Sequence, residues 1–124
     1  MMKIQRQNGT LTVQDVQELS AANARSFCNE ICAAPLAGLK HVEIDLSQIR
    51  FLDGYGLGAL AALYADLNGQ NGRESVVIRL FHPQPPVQQV LELARMHHIF
   101  EIIPRNSVLA DGWPRADNLS KAAG

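Results

Sequence analysis

The alternation of apolar and polar residues near the start of the chain predicts two short strands. Residues 3–7 are half polar, and over residues 10–16 a leucine and a valine alternate with polar residues. Asn8 and Gly9 stand between the two segments and form the dipeptide most typical of a tight hairpin turn. We therefore expect the chain to open with an antiparallel pair of strands.

Further along, the spacing of apolar residues changes to that of a helix. Ala24, Phe27, Cys28 and Ile31 follow the i, i+3, i+4, i+7 pattern of a helix with one apolar face. Ser20 stands ahead of them, and serine is a favoured N-cap residue. The pattern predicts a first helix that begins directly after Ser20.

Two more helices are predicted downstream. Residues 57–67 carry apolar side chains on two helical faces, which is typical of a well-buried helix. Residues 87–94 repeat the one-sided pattern, and Pro86 stands where prolines often open a helix. The sequence therefore predicts three helices within the domain.

Three other segments read as strands that alternate with these helices. Residues 41–46 alternate between polar and apolar side chains, and residues 99–103 form a short apolar run. Residues 75–81 are almost continuously apolar, which predicts a central strand buried on both faces. Strands that alternate with helices indicate an α/β fold whose strands are joined by parallel crossovers. The opening hairpin adds an antiparallel pair, so the predicted sheet is mixed. We expect one domain over residues 1–105 and a tail over 106–124, with a short helix at 107–113 and Trp113 docked on the domain.

Composition limits the classes of function. The chain has 124 residues, of which 47% are hydrophobic and 19% charged, as in a packed globular domain. Its net charge is -1 with no basic stripe, which argues against nucleic-acid binding. The longest uncharged apolar stretch, between Asp53 and Asp66, falls short of the roughly 20 residues that span a membrane. The N-terminal residues also lack the hydrophobic segment of a secretory signal. We expect a cytoplasmic protein that does not insert into a membrane.

The residues that could carry chemistry are sparse. Cys28 and Cys32 are four apart, but no histidine stands at a ligand spacing from them, so we interpret them as small buried side chains. We find no nucleophile paired with a base, no paired carboxylates and no phosphate-binding loop. The sequence predicts neither an enzyme nor a bound cofactor or metal.

The densest cluster of unusual residues lies at the predicted start of the second helix. The carboxylate of Asp53 can accept hydrogen bonds from the free N–H groups of the first turn. Gly54, Gly56 and Gly58 would let the helix start pack closely against the sheet. A helix N-terminus also favours anions. From the residues alone, a packing role and a functional surface both stay open.

The segment HVEIDLSQIRFLDGYGLGALAAL, residues 41–63, resembles the STAS family of sulfate transporter and anti-sigma factor antagonist domains. The segment matches three features of the family in the same order: a strand, the motif D-L-S, and a helix start of the form D-S-S-G-L-G-x-L. The resemblance extends upstream to LSAANARSF and downstream to VVIRLF, VQQVLELARMHHIF and EII. It implies the SpoIIAA-like fold, a mixed sheet flanked by helices, and a domain that binds protein partners without catalysing a reaction.

The resemblance also implies a phosphorylation switch whose residues have changed in this chain. In anti-sigma factor antagonists, a partner kinase phosphorylates a serine at the helix start, and the phosphate turns binding off. That serine falls at Tyr55 and the serine before it at Gly54, so both serine hydroxyls are missing. A family glycine near the end of the third helix is replaced by Arg95. The resemblance therefore suggests an antagonist that binds constitutively or is regulated elsewhere.

The expected partner surface surrounds this altered position. Its members are Asp53, Gly54, Tyr55, Gly56 and Leu57, together with Ser20 and Asn23. The expected partner is a protein such as an anti-sigma factor or a serine/threonine kinase, and self-association is compatible with this reading. Three alternatives stay open: a STAS subunit of a lipid or other ABC transport system, a module that binds a nucleotide or lipid, and a tyrosine that merely covers the helix start.

Overall fold

The computed structural model describes residues 2–34, 37–68 and 76–104. Its strands and helices are β1 (Lys3–Gln7), β2 (Thr10–Gln14), α1 (Ala24–Cys32), β3 (His41–Asp45), α2 (Gly54–Asn68), β4 (Val77–Phe81), α3 (Pro85–Leu93) and β5 (Glu101–Ile103). A short 3-10 helix, Met96–His98, lies between α3 and β5. The predicted order of elements is confirmed. The predicted tail, with its short helix and Trp113, lies outside the described residues.

The five strands form one mixed sheet in the order β1-β2-β3-β4-β5. β1 and β2 pair antiparallel, and each later pair of neighbours is parallel. In the turn between β1 and β2, Asn8 has a φ of 56°, a left-handed conformation that asparagine tolerates and that tight hairpins require. The predicted opening hairpin and parallel crossovers are both confirmed.

All three helices pack on the same face of this sheet. Each parallel connection advances by one strand in the same direction, and right-handed crossovers of that kind place their helices on one face. The buried core agrees, because its strand residues occupy alternate positions and residues of every helix join them. The strand members are Leu11, Val13, Val42, Ile44, Ile78 and Leu80, and the helix members include Phe27, Ile31, Leu60, Leu63, Val87 and Leu91.

The first helix begins later than predicted. α1 starts at Ala24 with Asn23 as its N-cap, so the prediction of Ser20 in that role is wrong. The Ser20 hydroxyl accepts a hydrogen bond from the backbone N–H of Ala22 at 3.2 Å. Short polar side chains can offer the backbone such local alternatives to a helix. Here that alternative closes a turn between β2 and α1.

The second helix is buried on one face, not on the two that were predicted. Its buried residues are Gly56, Ala59, Leu60, Leu63 and Leu67. Leu57 and Tyr64, expected on a second buried face, are only half-buried. The reason is that α2 meets the sheet on one side and lies in the single helical layer. None of the helices within the described ranges is both long and apolar enough to cross a membrane.

Two of the later strands also differ from the prediction. β4 was expected to be buried on both faces, but on its outer face Val77 and Arg79 are only half-buried, and Phe81 is the buried residue there. The single layer of helices explains this, because one face of a central strand then lacks a helix above it. β5 begins at Glu101, and Ile99 lies in the turn before it.

The residue that stands in place of the family glycine has an unusual backbone. Arg95 follows the end of α3 with a φ of 60°, in the left-handed region. Helices commonly end with a glycine in this conformation because glycine has no Cβ to clash. The glycine that the resemblance implies at this position would adopt this conformation without a Cβ clash, and in this chain arginine adopts it.

Candidate functional site

The start of α2 is fixed by a side-chain cap. An Asp53 carboxylate oxygen accepts a hydrogen bond from the backbone N–H of Gly56 at 2.8 Å. The Asp53 carbonyl also accepts from the Leu57 N–H at 3.0 Å, which is the first helical bond. The negative charge lies where the helix dipole favours it. The predicted cap is confirmed, and it holds the residues between Asp53 and Leu57 in one geometry.

One of the three glycines lets this helix start lie close to the preceding loop. A Cβ built on Gly56 would overlap the backbone carbonyl of Leu19 and a methyl of Leu52. Leu19 and Leu52 also form an isolated parallel bridge, which ties the two segments together. Around Gly54 and Gly58 there is open space. The expectation of close packing is therefore confirmed for Gly56 and wrong for the other two glycines.

Two aromatic side chains lie exposed beside the capped helix start. Tyr55 is 68% exposed and Phe51 is 64% exposed. Phe51 was missed in the sequence analysis, because nothing in the short run from Ile49 to Leu52 shows which of its residues point outward. The structure buries Ile49 and Leu52 and leaves Phe51 exposed. Exposed aromatic side chains with a large contact area are frequent anchors of protein interfaces.

The two predicted contact residues before α1 organise a loop beside this surface. Ser20 is only 8% exposed. Its backbone N–H donates to the side-chain oxygen of Asn23 at 2.9 Å, and the Asn23 amide donates to the Glu18 carbonyl at 2.6 Å. The Ser20 hydroxyl bonds the Glu18 carboxylate. Because Leu19 lies within this loop, these bonds set the position of the carbonyl that faces Gly56.

An open groove that Phe51 helps to line lies at the carboxyl ends of β3 and β4. Its lining residues are Gln17, Glu18, Ser47, Gln48, Arg50, Phe51 and Gln84. The Gln84 amide closes one wall by donating to the Ser47 carbonyl at 2.8 Å. The lining is polar, with one carboxylate and one guanidinium, and it holds no nucleophile with an adjacent base. Within the part of the chain that the structure describes, no three His, Cys, Asp or Glu residues are grouped to hold a metal ion.

The cysteines lie outside this site, between α1 and α2. Both are free and half-buried, which corrects the expectation that they are buried. The Cys28 thiol donates to the Ala59 carbonyl at 3.1 Å. Burial raises the pKa of Cys28 from 9.0 to about 11, with smaller contributions from Cys32 and Asp66. Burial and the Asp66 carboxylate also raise the pKa of Cys32.

These thiols should react slowly in the folded protein. At pH 8 a rise in pKa from 9.0 to about 11 lowers the thiolate fraction of Cys28, and hence its alkylation rate, by about 100-fold. Iodoacetamide labelling followed by peptide mass spectrometry, in buffer and in urea, measures this ratio. The ratio of the labelling rate in urea to that in buffer should fall as the pH rises from 9 to 11, because the thiol of the folded protein ionises in that range. Equal labelling rates in buffer and urea at pH 8 would contradict the prediction.

Comparison with known proteins gives a family and a fold. The family model for the STAS domain matches residues 1–108. No match is found among the curated proteins.

Several solved structures of anti-sigma factor antagonists share the fold. Thermotoga maritima TM1081, assigned to this class, superposes with a TM-score of 0.72 at 17% identity, covering 99% of this chain and 95% of that one. Unphosphorylated SpoIIAA of Bacillus has a TM-score of 0.65 at 15% identity, covering 100% and 97%. An antagonist from Mycobacterium paratuberculosis has a TM-score of 0.65 at 21% identity, covering 100% and 94%. At these identities the likeness shows the fold alone.

Proposed function

The chain belongs to the STAS domain family, and from this premise we propose that it is a non-enzymatic, protein-binding regulator of the anti-sigma factor antagonist type. The observation that carries the proposal is the exposure of Tyr55 at the capped start of α2. The expected partner is an anti-sigma factor or a serine/threonine kinase in the cytoplasm of a bacterium. The contact surface comprises Asp53–Leu57 with the loop of Ser20 and Asn23 beside it.

The proposal includes the loss of the usual switch. A phosphate on a serine at this position would add about -1.5 to -2 charges at a helix N-terminus and alter any interface there. Gly54 has no side chain, and Tyr55 places its hydroxyl at the far end of an exposed ring. A serine/threonine kinase would find no acceptor at the usual distance from the backbone. We therefore propose constitutive binding, or regulation at another site.

A partner-binding measurement tests the contact surface. The partner to use is the purified anti-sigma factor or kinase encoded beside the gene, titrated by calorimetry. Tyr55→Ala should weaken binding by about 30-fold, the loss typical of a truncated interface anchor. Leu93→Ala is the matched control, because Leu93 is 77% exposed on α3 and should leave the affinity unchanged. Wild-type affinity in Tyr55→Ala would contradict the proposed surface.

A second arm with the same kinase and ATP tests the missing switch. Wild type should gain no phosphate at residues 54–57, whereas Tyr55→Ser restores a hydroxyl at the usual distance from the backbone. Asp53→Asn serves as a control for the cap, because asparagine caps helices about as well as aspartate. Stoichiometric phosphate on Tyr55 of the wild type would contradict the loss of the switch.

The alternative functions predict other ligands. Binding of a nucleotide or fatty acid would favour a small-ligand module, and binding of an ABC ATPase in place of the regulator would favour a subunit of a transport system.

A further inference from the structure

The groove at the carboxyl ends of β3 and β4 has two walls. The segment between β2 and α1 contributes Gln17 and Glu18, and the segment between β3 and α2 contributes Arg50 and Phe51. Sites for small molecules are mostly enclosed and apolar. This groove is open and its lining is largely polar, so it suits a polypeptide segment better than a small ligand.

A backbone bridge brings the two walls together. Leu19 and Leu52 form an isolated parallel bridge, and both of their side chains are buried. Glu18 and Phe51 directly precede these two residues, and both are exposed. Successive side chains of an extended segment point to opposite sides. The bridge therefore places the Glu18 carboxylate and the Phe51 ring at neighbouring positions in the groove that both residues line.

The Glu18 carboxylate is positioned before a partner binds. The Ser20 hydroxyl donates to it, and the Glu18 carbonyl accepts from the Asn23 amide at 2.6 Å. Glu18 forms no ion pair with a described residue. A group that is ordered in advance loses little freedom on binding, so this carboxylate favours a cation from outside the domain. The ring of Phe51 beside it would add a cation–π attraction.

Arg50 supplies the opposite charge in the same groove. Its side chain is exposed, and it forms no ion pair with Glu18 or with another described residue. The groove therefore presents a carboxylate on one wall and a guanidinium on the other, and the two charges do not neutralise each other. Complementary charges across an interface increase both its specificity and the rate of association.

We propose that this groove binds a segment of the protein partner in which a lysine or arginine lies between Glu18 and Phe51 and an aspartate or glutamate pairs with Arg50. The side-chain amides of Gln17 and Gln84, which also line the groove, can bond the main chain of that segment, because an amide both donates and accepts. The inference rests on the proposed function, since it specifies the partner chemistry that the same domain recognises.

The roles of the two walls differ from that of Ser20. Glu18, Arg50 and Phe51 would contact the partner, whereas Ser20 is only 8% exposed and would act through the carboxylate that its hydroxyl holds. Ser20 is therefore a positioning residue in this proposal, and a test of the contact must remove the charge of Glu18 without removing the hydrogen bond to Ser20.

Calorimetric titration of the full chain with the purified anti-sigma factor or kinase encoded beside the gene tests each charge. Glu18→Gln keeps an oxygen that can accept from the Ser20 hydroxyl but removes the charge, and it should weaken binding by about tenfold. Arg50→Glu places a like charge opposite the acidic residue of the partner and should weaken binding by about 100-fold. Lys40→Glu is the matched control, because the exposed Lys40 precedes the amino end of β3, away from the groove, and should leave the affinity unchanged.

Two further measurements separate recognition of charge from an effect on the loop. Phe51→Leu keeps an apolar side chain and removes the ring, so the lost cation–π attraction should weaken binding by about threefold. The difference in affinity between wild type and Glu18→Gln should shrink when the ionic strength is raised to about 1 M, because salt screens exposed charges. A difference that is independent of salt would mean that Glu18 acts by shaping the loop, and it would overturn the proposal.

The outcomes for the groove and for the proposed function are distinguishable. Wild-type affinity in either Glu18→Gln or Arg50→Glu would overturn the inference, and if Tyr55→Ala still weakened binding, the proposed function would stand. An equal loss of affinity in Lys40→Glu and Arg50→Glu would reduce the effect to net charge and would also overturn the inference. Failure of the wild type to bind the partner would overturn both.

Discussion

Gly56→Ala should lower the free energy of unfolding by about 2–3 kcal/mol, because the new methyl group must displace backbone. The Cβ would overlap the carbonyl of Leu19, which the loop before α1 holds in place by its own hydrogen bonds. A rigid backbone cannot yield as a flexible side chain can, so the strain spreads to α2 or to the loop. Urea unfolding followed by circular dichroism measures the change, with the slope of the transition checked for constancy.

Gly58→Ala is the matched control for this effect. Gly58 belongs to the same helix and the same glycine-rich segment, but a Cβ there meets no atom within 4 Å. Alanine should therefore stabilise the protein by about 0.5–1 kcal/mol, because glycine is unfavourable inside a helix. We expect the free energy of unfolding to fall in Gly56→Ala and to rise in Gly58→Ala. Similar effects at both positions would mean that the close approach at Gly56 does not limit the packing of α2.

The proposed contact surface depends on this same close approach. Gly56 sets how near α2 lies to the loop of Leu19, and Tyr55 is the residue before it on the exposed side. A Gly56 variant that stays folded should therefore shift Tyr55 relative to the groove lined by Phe51. Packing and the proposed binding are therefore expected to be coupled, because one helical turn carries both the buried glycine and the exposed aromatic residue.

Local patterns predicted most of the fold, and the parts they missed depend on distant segments. Alternation and helical spacing are properties of neighbouring residues, so the strands and helices could be placed from them. The sheet order β1-β2-β3-β4-β5 is a tertiary property, and it alone puts all helices on one face. This is why the apolar run of β4 was wrongly expected to be buried on both sides, although Arg79 breaks it.

The candidate site shows the same limit. The cap at Asp53 follows from one residue and the helix after it, so it was predictable. The position of the Leu19 carbonyl decides which glycine packs against the loop. That position cannot be inferred from the residue pattern of 53–60. The start of α1 was missed for a related reason, since Ser20 and Asn23 are both good cap residues and the hydrogen bond between them decides the competition.

Arg79→Met should lower the free energy of unfolding by about 2 kcal/mol at pH 7, because it leaves a buried carboxylate without its partner. On the face of the sheet that points away from the helices, Arg79 bonds Glu43 at 3.1 Å and Glu101 at 2.8 Å. The Glu43 side chain is only 9% exposed, so the lost partner cannot be replaced by bulk water. Methionine keeps the apolar length of the arginine stem, so the loss reports mainly on the charge. Thermal or urea unfolding at pH 7 measures this loss.

A double variant distinguishes a buried carboxylate from lost packing. In Arg79→Met the Glu43 carboxylate stays buried without a counter-charge, whereas Glu43→Gln/Arg79→Met replaces it with a neutral side chain and should recover most of the loss at pH 7. Glu101→Gln is the matched control: Glu101 is 54% exposed, and breaking its bond to the same guanidinium should cost less than about 1 kcal/mol. A deficit that persists in the double variant would show that Arg79 acts through packing.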